Sequence, residues 1–218
     1  MSSLKEEELI NILPIDGPSI NEVKKYVDKY SDELICIKLG GSCLNKEELL
    51  NQFINDLSII TKLGLNVVVV HGGGKSIEKK LKENNIESKW IEGLRVSDEK
   101  SIKFIEEALN EINFNIVKKL NESGCNARSI TGKDKIVKVN PISKDLMYVG
   151  KPKEVNNKIL NDILKNKVIP VIAPLGIGDD QKTYNVNADH MAGKIASSLK
   201  ARRLILMTDV AGVMEDKK

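Results

Sequence analysis

The stretch LNVVVVHGGGKS, residues 65–76, most strongly limits the folds open to this chain. A run of β-branched residues is typical of a strand that is buried on both faces, as in a parallel sheet. Three glycines follow the run, and a helical pattern begins near Lys75. Bare glycine turns leave backbone N–H groups uncovered at the start of a helix, where the helix dipole favours an anion. The stretch therefore predicts an α/β sheet with an anion-binding turn at one strand end.

Two familiar phosphate-binding patterns do not fit this turn. The nucleoside-triphosphatase loop requires G-x-x-x-x-G-K-[ST], but Val69 stands where its first glycine should be. The dinucleotide fingerprint requires G-x-G-x-x-G, but Ile77 stands where its third glycine should be. The rest of the chain must therefore indicate which kind of phosphate site this is.

Strands and helices alternate along most of the chain, which predicts the α/β fold class. The predicted strands span residues 34–39, 65–70, 127–131, 135–140, 148–155, 168–176 and 203–208. We expect a three-layer α/β/α sandwich with a mostly parallel central sheet, and ligands at the carboxyl ends of its strands. Asn45 with Glu48 is expected to cap a long helix that ends near Leu63.

Residues 1–33 are predicted to form an N-terminal helical extension. Ser19 and Glu22 have the spacing of a capping box, which predicts a helix over 20–30. The chain contains no secretory signal and no apolar run as long as a membrane span, so no membrane partner is expected.

Composition narrows the partners further. The net charge is only +3 and aromatic residues make up 4%, which argues against a nucleic-acid partner. Two histidines, His71 and His190, argue against a histidine-rich zinc site, and no metal site is predicted. The odd number of cysteines, without a C-x-x-C pair, indicates free thiols and a cytoplasmic protein.

Lysine and glycine residues near the strand ends are the first candidates for chemistry. Lys38 interrupts an apolar strand just before Gly40 and Gly41. Its ammonium could face phosphate oxygens, or it could simply reach solvent at the strand end. Gly72, Gly73 and Gly74 could hold an anion or could form only a tight turn.

Other candidates lie further along the chain. Arg95 has the planar fork that binds a carboxylate, although a lone arginine is uninformative. Asn185, Asn187 and Asp189 alternate just before a helix. They could serve a ligand, with Asp189 steadying nearby lysines, or they could be turn and capping residues.

Seven motifs together resemble those of the amino acid kinase family, from residue 34 to the end. They are, in order, KLGGS, HGGGKS, EGLRVS, SITGKD, VIAPLG, YNVNADHMAGKIA and LILMTDVAGV. GLRVS and YNVNAD favour the branch that phosphorylates N-acetyl-L-glutamate in arginine biosynthesis, over branches acting on aspartate, uridylate or carbamate. The resemblance implies transfer of a phosphoryl group from ATP, with Mg²⁺, to a side-chain carboxylate.

The resemblance also implies roles for individual residues. Lys38 would stabilise transferred charge and Asp189 would organise the catalytic lysines. The acceptor would be bound by Gly40, Gly41, Gly72, Gly73, Gly74, Arg95, Asn185 and Asn187. The nucleotide would be bound by Thr208, Asp209, Val210, Ala211, Gly212, Val213 and Met214.

The resemblance further implies two lobes and an oligomer. Residues 34–187 would form the acceptor lobe and 188–218 the start of a nucleotide lobe. Because no GM-x-x-K motif is present, we expect part of the ATP site to be absent and the 218 residues alone to turn over little. The family includes arginine-inhibited members whose N-terminal helix joins dimers into hexamers. The helix at 20–30 could play that part, with L-arginine as feedback inhibitor, or it could merely pack.

Two alternatives to this function remain open. One is another kinase of the same family with a different acceptor. The other is a non-catalytic module that binds an amino acid. Thermal stabilisation of the protein by N-acetylglutamate, compared with aspartate, glutamate and uridylate, distinguishes the first alternative from the main hypothesis. Binding of N-acetylglutamate without turnover would support the second.

Overall fold

The computed structural model describes residues 10–11, 13, 15–30 and 33–208. Residues 1–9 of the predicted extension, and 209–218, lie outside the described part. The described elements, in chain order, are α1 (Ile20–Tyr30), β1 (Leu34–Leu39), α2 (Gly41–Asn45), α3 (Glu47–Lys62), β2 (Asn66–His71), α4 (Gly74–Glu83), β3 (Trp90–Ile91), β4 (Leu94–Arg95), α5 (Ser101–Glu122), β5 (Ala127–Ile130), a 3₁₀ turn (Gly132–Asp134), β6 (Val137–Pro141), β7 (Val149–Val155), α6 (Asn157–Lys165), β8 (Ile169–Ile172), β9 (Leu175–Ile177), β10 (Thr183–Val186), α7 (Ala188–Ser198) and β11 (Arg203–Leu206).

The central sheet has five strands in the order β11-β1-β2-β8-β5. Every neighbouring pair in it is parallel. The predicted α/β fold with a mostly parallel central sheet is thus confirmed. In the register of β1 and β2, Leu39 lies beside His71, so the turns that follow both strands meet at one edge.

Alternate residues of the sheet supply two separate cores, which makes three layers. Val68 and Val70 pack with α6 and α7 on one face, through Leu160 and Met191 among others. Val67 and Val69 pack with α3 and α5 on the other face. The continuous run of valines is explained by this arrangement, because both faces of β2 are covered.

A smaller closed barrel, β10-β7-β6-β9, adjoins the sheet. The predicted single strand over 168–176 is wrong in this respect, because β8 belongs to the sheet and β9 to the barrel. The break falls at Ala173 and Pro174, where proline has no N–H to continue a ladder. The chain therefore changes sheets within two residues.

Two predicted helix starts have different outcomes. Ser19 and Glu22 form the capping box of α1: the Ser19 N–H donates to Glu22 Oε2 at 3.1 Å, and the Glu22 N–H donates to Ser19 Oγ at 3.4 Å. The predicted cap at Asn45 is wrong, since α3 begins after Lys46 without a side-chain cap. The Asn45 side chain instead donates to the Gly41 carbonyl and closes the short helix α2.

No helix within the described ranges combines the length and the apolar character needed to cross a membrane.

Candidate functional site

One cavity of about 510 Å³ opens at the carboxyl ends of β1 and β2. It contains ten of the predicted site residues in its lining: Lys38, Gly40, Gly41, Gly72, Gly73, Gly74, Arg95, Asn185, Asn187 and Asp189. These residues come from both the sheet and the barrel side of the molecule. The roles predicted for them stay predictions, but their meeting in one cavity is a property of the fold.

Lys38 reaches the cavity from the interior of β1. Its side chain is only 12% exposed, and Nζ lies 2.9 Å from Asp189 Oδ1 in the first turn of α7. The ammonium also donates to the Met207 carbonyl oxygen at 3.4 Å. An ammonium has three N–H donors, so one donor is left for a ligand after these two described partners.

The glycine turn forms the start of α4. Gly73 is the residue before the helix, and no side chain caps it. The first N–H groups of a helix have no partner inside the helix, so those of Gly74 and Lys75 stay open toward the cavity within the described part of the chain. Gly72 differs, because its N–H donates to the Leu39 carbonyl at 2.9 Å as part of the sheet.

Glycine is needed for space at two of these positions. A Cβ on Gly40 would lie 2.3 Å from the Met207 carbonyl oxygen. A Cβ on Gly73 would lie 2.6 Å from a buried methyl group of Leu109. A Cβ on Gly74 would meet nothing within 4 Å, so glycine there only keeps the cavity wide.

Arg95 lies in the cavity wall and is held on several sides. Its side chain is 5% exposed, and Nη1 lies 2.6 Å from Glu78 Oε2. Nη1 also donates to Ser88 Oγ, and Nη2 donates to the Gly74 carbonyl at 3.2 Å. The guanidinium carbon Cζ lies over the Trp90 ring, 4.4 Å from the ring centroid. Among the described residues, three of its five N–H donors have partners, which leaves two for a ligand.

The Arg95 guanidinium also perturbs its partner. Its hydrogen bond, together with one from Ser88, lowers the pKa of Glu78. Glu78 therefore stays ionised at neutral pH and keeps the fork of Arg95 in one orientation.

The two asparagines have different surroundings. Asn185 Nδ2 donates to Ser97 Oγ at 3.2 Å, which joins the barrel to the segment after β4. Asn187 caps α7, because its Oδ1 accepts from the N–H groups of Asp189 and His190. The oxygen of Asn187 is thus used by the helix, in agreement with the capping interpretation, and its NH₂ group is the part left for a ligand.

A buried polar pair lies directly behind the glycine turn. His71 is fully buried, and its Nδ1 lies 2.8 Å from the Gly72 carbonyl oxygen. Asn113 Nδ2, from α5, lies 3.1 Å from His71 Nε2. Burial lowers the pKa of His71 to about 4, so the ring is neutral at physiological pH.

Several residues of the site were not predicted. Glu78, Ser88 and Trp90 surround Arg95, and Asn113 supports His71. Only Glu78 had a usable signal, because it follows Gly74 by four positions and so shares its helix face. The others are brought in by tertiary contacts that no local pattern reveals.

The predicted nucleotide-binding segment is mostly outside the described part. Thr208 is described and exposed at the end of the central sheet. Asp209, Val210, Ala211, Gly212, Val213 and Met214 lie outside the described residues. Within residues 33–208 and the shorter described ranges, no group of three or more His, Cys, Asp or Glu side chains is placed to hold a metal ion.

A model of the amino acid kinase family matches residues 33–218. The chain belongs to this family. An acetylglutamate kinase of Pelagibacter ubique (strain HTCC1062) is 52% identical over 219 residues, which cover all of this chain and 76% of that protein. An acetylglutamate kinase of Zymomonas mobilis is 38% identical, over 95% of this chain and 74% of that protein. These relatives carry the name of the branch that the motifs indicated.

Solved structures of amino acid kinase type share the fold. The protein smu.665 of Streptococcus mutans UA159 is 33% identical with a TM-score of 0.74, covering 85% of this chain and 76% of that one. Carbamate kinase from Giardia lamblia, bound to AMP-PNP, has a TM-score of 0.62 at 13% identity, covering 82% and 72% of the two chains. The second likeness supports the fold alone.

Proposed function

We propose that this chain catalyses the ATP-dependent phosphorylation of the side-chain carboxylate of N-acetyl-L-glutamate, a step of arginine biosynthesis, with a low rate expected from these 218 residues. The observation that carries the proposal is that Lys38, the open start of α4 and Arg95 line one cavity. The family membership and the acetylglutamate kinase relatives support the same choice of acceptor.

The proposed reaction joins two anions, and this decides what the protein must supply. A carboxylate oxygen of the acceptor forms a bond to the γ-phosphorus of ATP, the bond from that phosphorus to the β–γ bridging oxygen breaks, and ADP leaves. The carboxylate is already ionised at neutral pH, so no general base is needed. Positioning and positive charge are needed instead.

The cavity supplies both. The Lys38 ammonium, paired with Asp189, lies at the carboxyl end of β1. The N–H groups at the start of α4 add donors and the positive end of the helix dipole. These groups fit the transferred phosphoryl, and Mg²⁺ would enter with the nucleotide to neutralise its phosphates.

Arg95 and Asn185 would bind the acetylated amino acid away from the reacting carboxylate. The fork of Arg95 suits the second carboxylate of the acceptor, and Asn185 offers amide hydrogen bonds. This assignment gives a role to two of the cationic residues that line the cavity, Lys38 and Arg95.

Further parts of the proposal concern the nucleotide and the lobes. We assign Thr208 to Met214 to nucleotide binding, residues 34–187 to the acceptor lobe and 188–218 to the nucleotide lobe. A cytoplasmic location is supported by the free thiols of Cys36, Cys43 and Cys125.

Oligomerisation and regulation also belong to the proposal. We propose a homo-oligomer in which α1 contributes to assembly, with L-arginine as an inhibitor, and the capped helix before the domain supports this. Deleting residues 1–30 and measuring the mass in solution tests it, because an unchanged oligomer would remove α1 from the assembly.

Acceptor binding and turnover test the proposed activity. Calorimetry should show binding of N-acetyl-L-glutamate and no heat of binding with aspartate, uridylate or carbamate. Acyl phosphate formed with Mg-ATP can be trapped with hydroxylamine. Turnover of another acceptor in preference would favour a different kinase of the family, and binding without turnover at saturating Mg-ATP would favour a non-catalytic module.

A further inference from the structure

His71 and Asn113 do not line the cavity, yet His71 bonds the turn that does and Asn113 bonds His71. Both residues are fully buried. Asn113 lies on α5, and two other residues of that helix, Leu109 and Ile112, lie next to Gly73. A buried polar pair costs stability unless its hydrogen bonds are made, so its position here calls for a reason.

The hydrogen-bond partners fix the position of the proton on the ring. Asn113 Nδ2 donates to the Val171 carbonyl at 2.9 Å, and a carbonyl can only accept, so the amide orientation is determined. The same NH₂ group therefore donates to His71 Nε2, which must be unprotonated. His71 Nδ1 carries the proton and donates it to the Gly72 carbonyl.

This hydrogen bond determines the direction of the following peptide N–H. The peptide between Gly72 and Gly73 is trans, so its N–H points opposite to its carbonyl oxygen. Because His71 holds that oxygen on the buried side, the Gly73 N–H is directed to the other side, where Gly73 lines the cavity. It has no acceptor among the described residues.

We propose that His71, held by Asn113, is a positioning residue that aims the Gly73 N–H at the anion bound in the cavity. The inference deepens the proposed function and rests on it, since the anion is the acceptor carboxylate or the phosphoryl group in transfer. A bare glycine turn is free to rotate its peptides, and the neutral imidazole removes this freedom. The histidine before the glycines thus serves the reaction without touching a reacting atom.

The first test observes the proton directly. The chain contains two histidines, so ring nitrogen signals of a ¹⁵N-histidine sample can be assigned with one variant, His190→Gln. At pH 7, His71 should show a protonated Nδ1 and an unprotonated Nε2. The opposite tautomer would overturn the proposal, and this measurement requires neither activity nor a mutation at His71.

The second test compares two variants that each keep one half of the histidine. The amide nitrogen of asparagine is as many bonds from Cβ as Nδ1, and the amide oxygen of glutamine is as many as Nε2, the acceptor. His71→Asn therefore keeps the donor to Gly72, whereas His71→Gln keeps only a group near Asn113. Both lose one buried hydrogen bond, so urea unfolding should show similar destabilisation.

Turnover separates positioning from a purely structural role. A donor to transferred charge acts in the transition state, so its loss lowers kcat more than it changes KM. We expect His71→Gln to lose roughly ten-fold to a hundred-fold in kcat, below the loss for removing such a donor outright, and His71→Asn to lose a few-fold. Equal kcat in two variants of equal stability would overturn the inference.

The two proposals can fail separately. If the unmodified protein neither binds nor phosphorylates N-acetyl-L-glutamate, the proposed function fails while the tautomer measurement still decides the proton position. If it does phosphorylate the acceptor and the two variants behave alike, only the role of His71 is refuted.

Discussion

The ammonium of Lys38 lies 2.9 Å from the carboxylate of Asp189, and so joins the end of β1 to the first turn of α7. Asp189 is half exposed while Lys38 is nearly buried, so the pair lies at the boundary between the protein interior and the cavity. Predictions for the lysine follow from this arrangement.

Replacement of Lys38 by methionine should abolish most turnover and leave acceptor binding within a few-fold. Methionine keeps the apolar stem and removes only the charge, and loss of one such electrostatic group costs on the order of 10²–10³ in rate. Steady-state kinetics and calorimetry measure the two effects. Lys138→Met, at an exposed strand lysine paired with Glu154 at 3.8 Å, is the matched control and should leave both unchanged. Near-normal kcat in Lys38→Met would contradict the assigned role.

Replacement of Gly40 by alanine should destabilise the protein by about 1–3 kcal/mol, because the new methyl group meets a backbone oxygen. The free energy of unfolding in urea is the measurement. Gly41→Ala is the control: its Cβ would be 3.7 Å from the Asn45 side chain, an ordinary contact. That variant should be unchanged or more stable by about 0.4–1 kcal/mol. Equal effects at both positions would show that the close approach of Met207 is unimportant.

Replacement of Arg95 by lysine should weaken N-acetyl-L-glutamate binding by roughly ten-fold or more, since a point charge cannot replace a planar fork held by Glu78 and the Trp90 ring. Calorimetry gives the affinity directly. Arg128→Lys is the control. That arginine is 55% exposed, does not line the cavity, and lies 3.6 Å from the Asp134 carboxylate. Unaltered affinity in Arg95→Lys would remove Arg95 from acceptor recognition.

Stability should fall as the pH drops from about 6.5 toward 4, because His71 is neutral in the folded protein. Burial lowers its pKa from 6.5 to about 4, so between these pH values the unfolded chain binds a proton at His71 that the folded chain does not. Each unit of pH in that window costs about 1.4 kcal/mol, up to roughly 3 kcal/mol at its acid end. Above pH 6.5 His71 is neutral in both the folded and the unfolded chain, so this loss of stability is absent.

The comparison with His71→Asn isolates this contribution from carboxylates that titrate nearby in pH. The variant should lose less stability than the unmodified protein over the same window, when both are unfolded in urea at several pH values. Parallel curves would show that His71 is not held neutral by its surroundings.

Much of the fold could be predicted because local patterns and global structure agree. The valine run of β2 needed cover on both faces, and the helices supply it. The glycines after β1 and β2 were expected at the carboxyl ends of strands, where ligands bind, and the parallel register brings these two ends together. The expected cap at Asn45 failed because a carbonyl one turn back competes for its side chain. The break at Pro174 was hidden within an apolar run.

The partners of the predicted site residues could not be found in the same way. Glu78 and Arg95 are 17 positions apart, and His71 and Asn113 are 42 apart. Such pairs arise only when β2, α4 and α5 are packed, and a single sequence gives no sign of that packing. Lys38, its partner Asp189, Arg95 and the glycines were predictable, whereas the partners of Arg95 and His71 were not.

The carbonyl oxygen of Met207 occupies the space that a side chain at position 40 would need, and it also accepts from Lys38. One atom therefore adjoins the acceptor turn, the reactive cation and the backbone that continues into residues 208–214. A displacement of the backbone at Met207 would move a hydrogen-bond acceptor of Lys38. The positions of Gly40, Lys38 and the backbone at Met207 are thus coupled through a single peptide group.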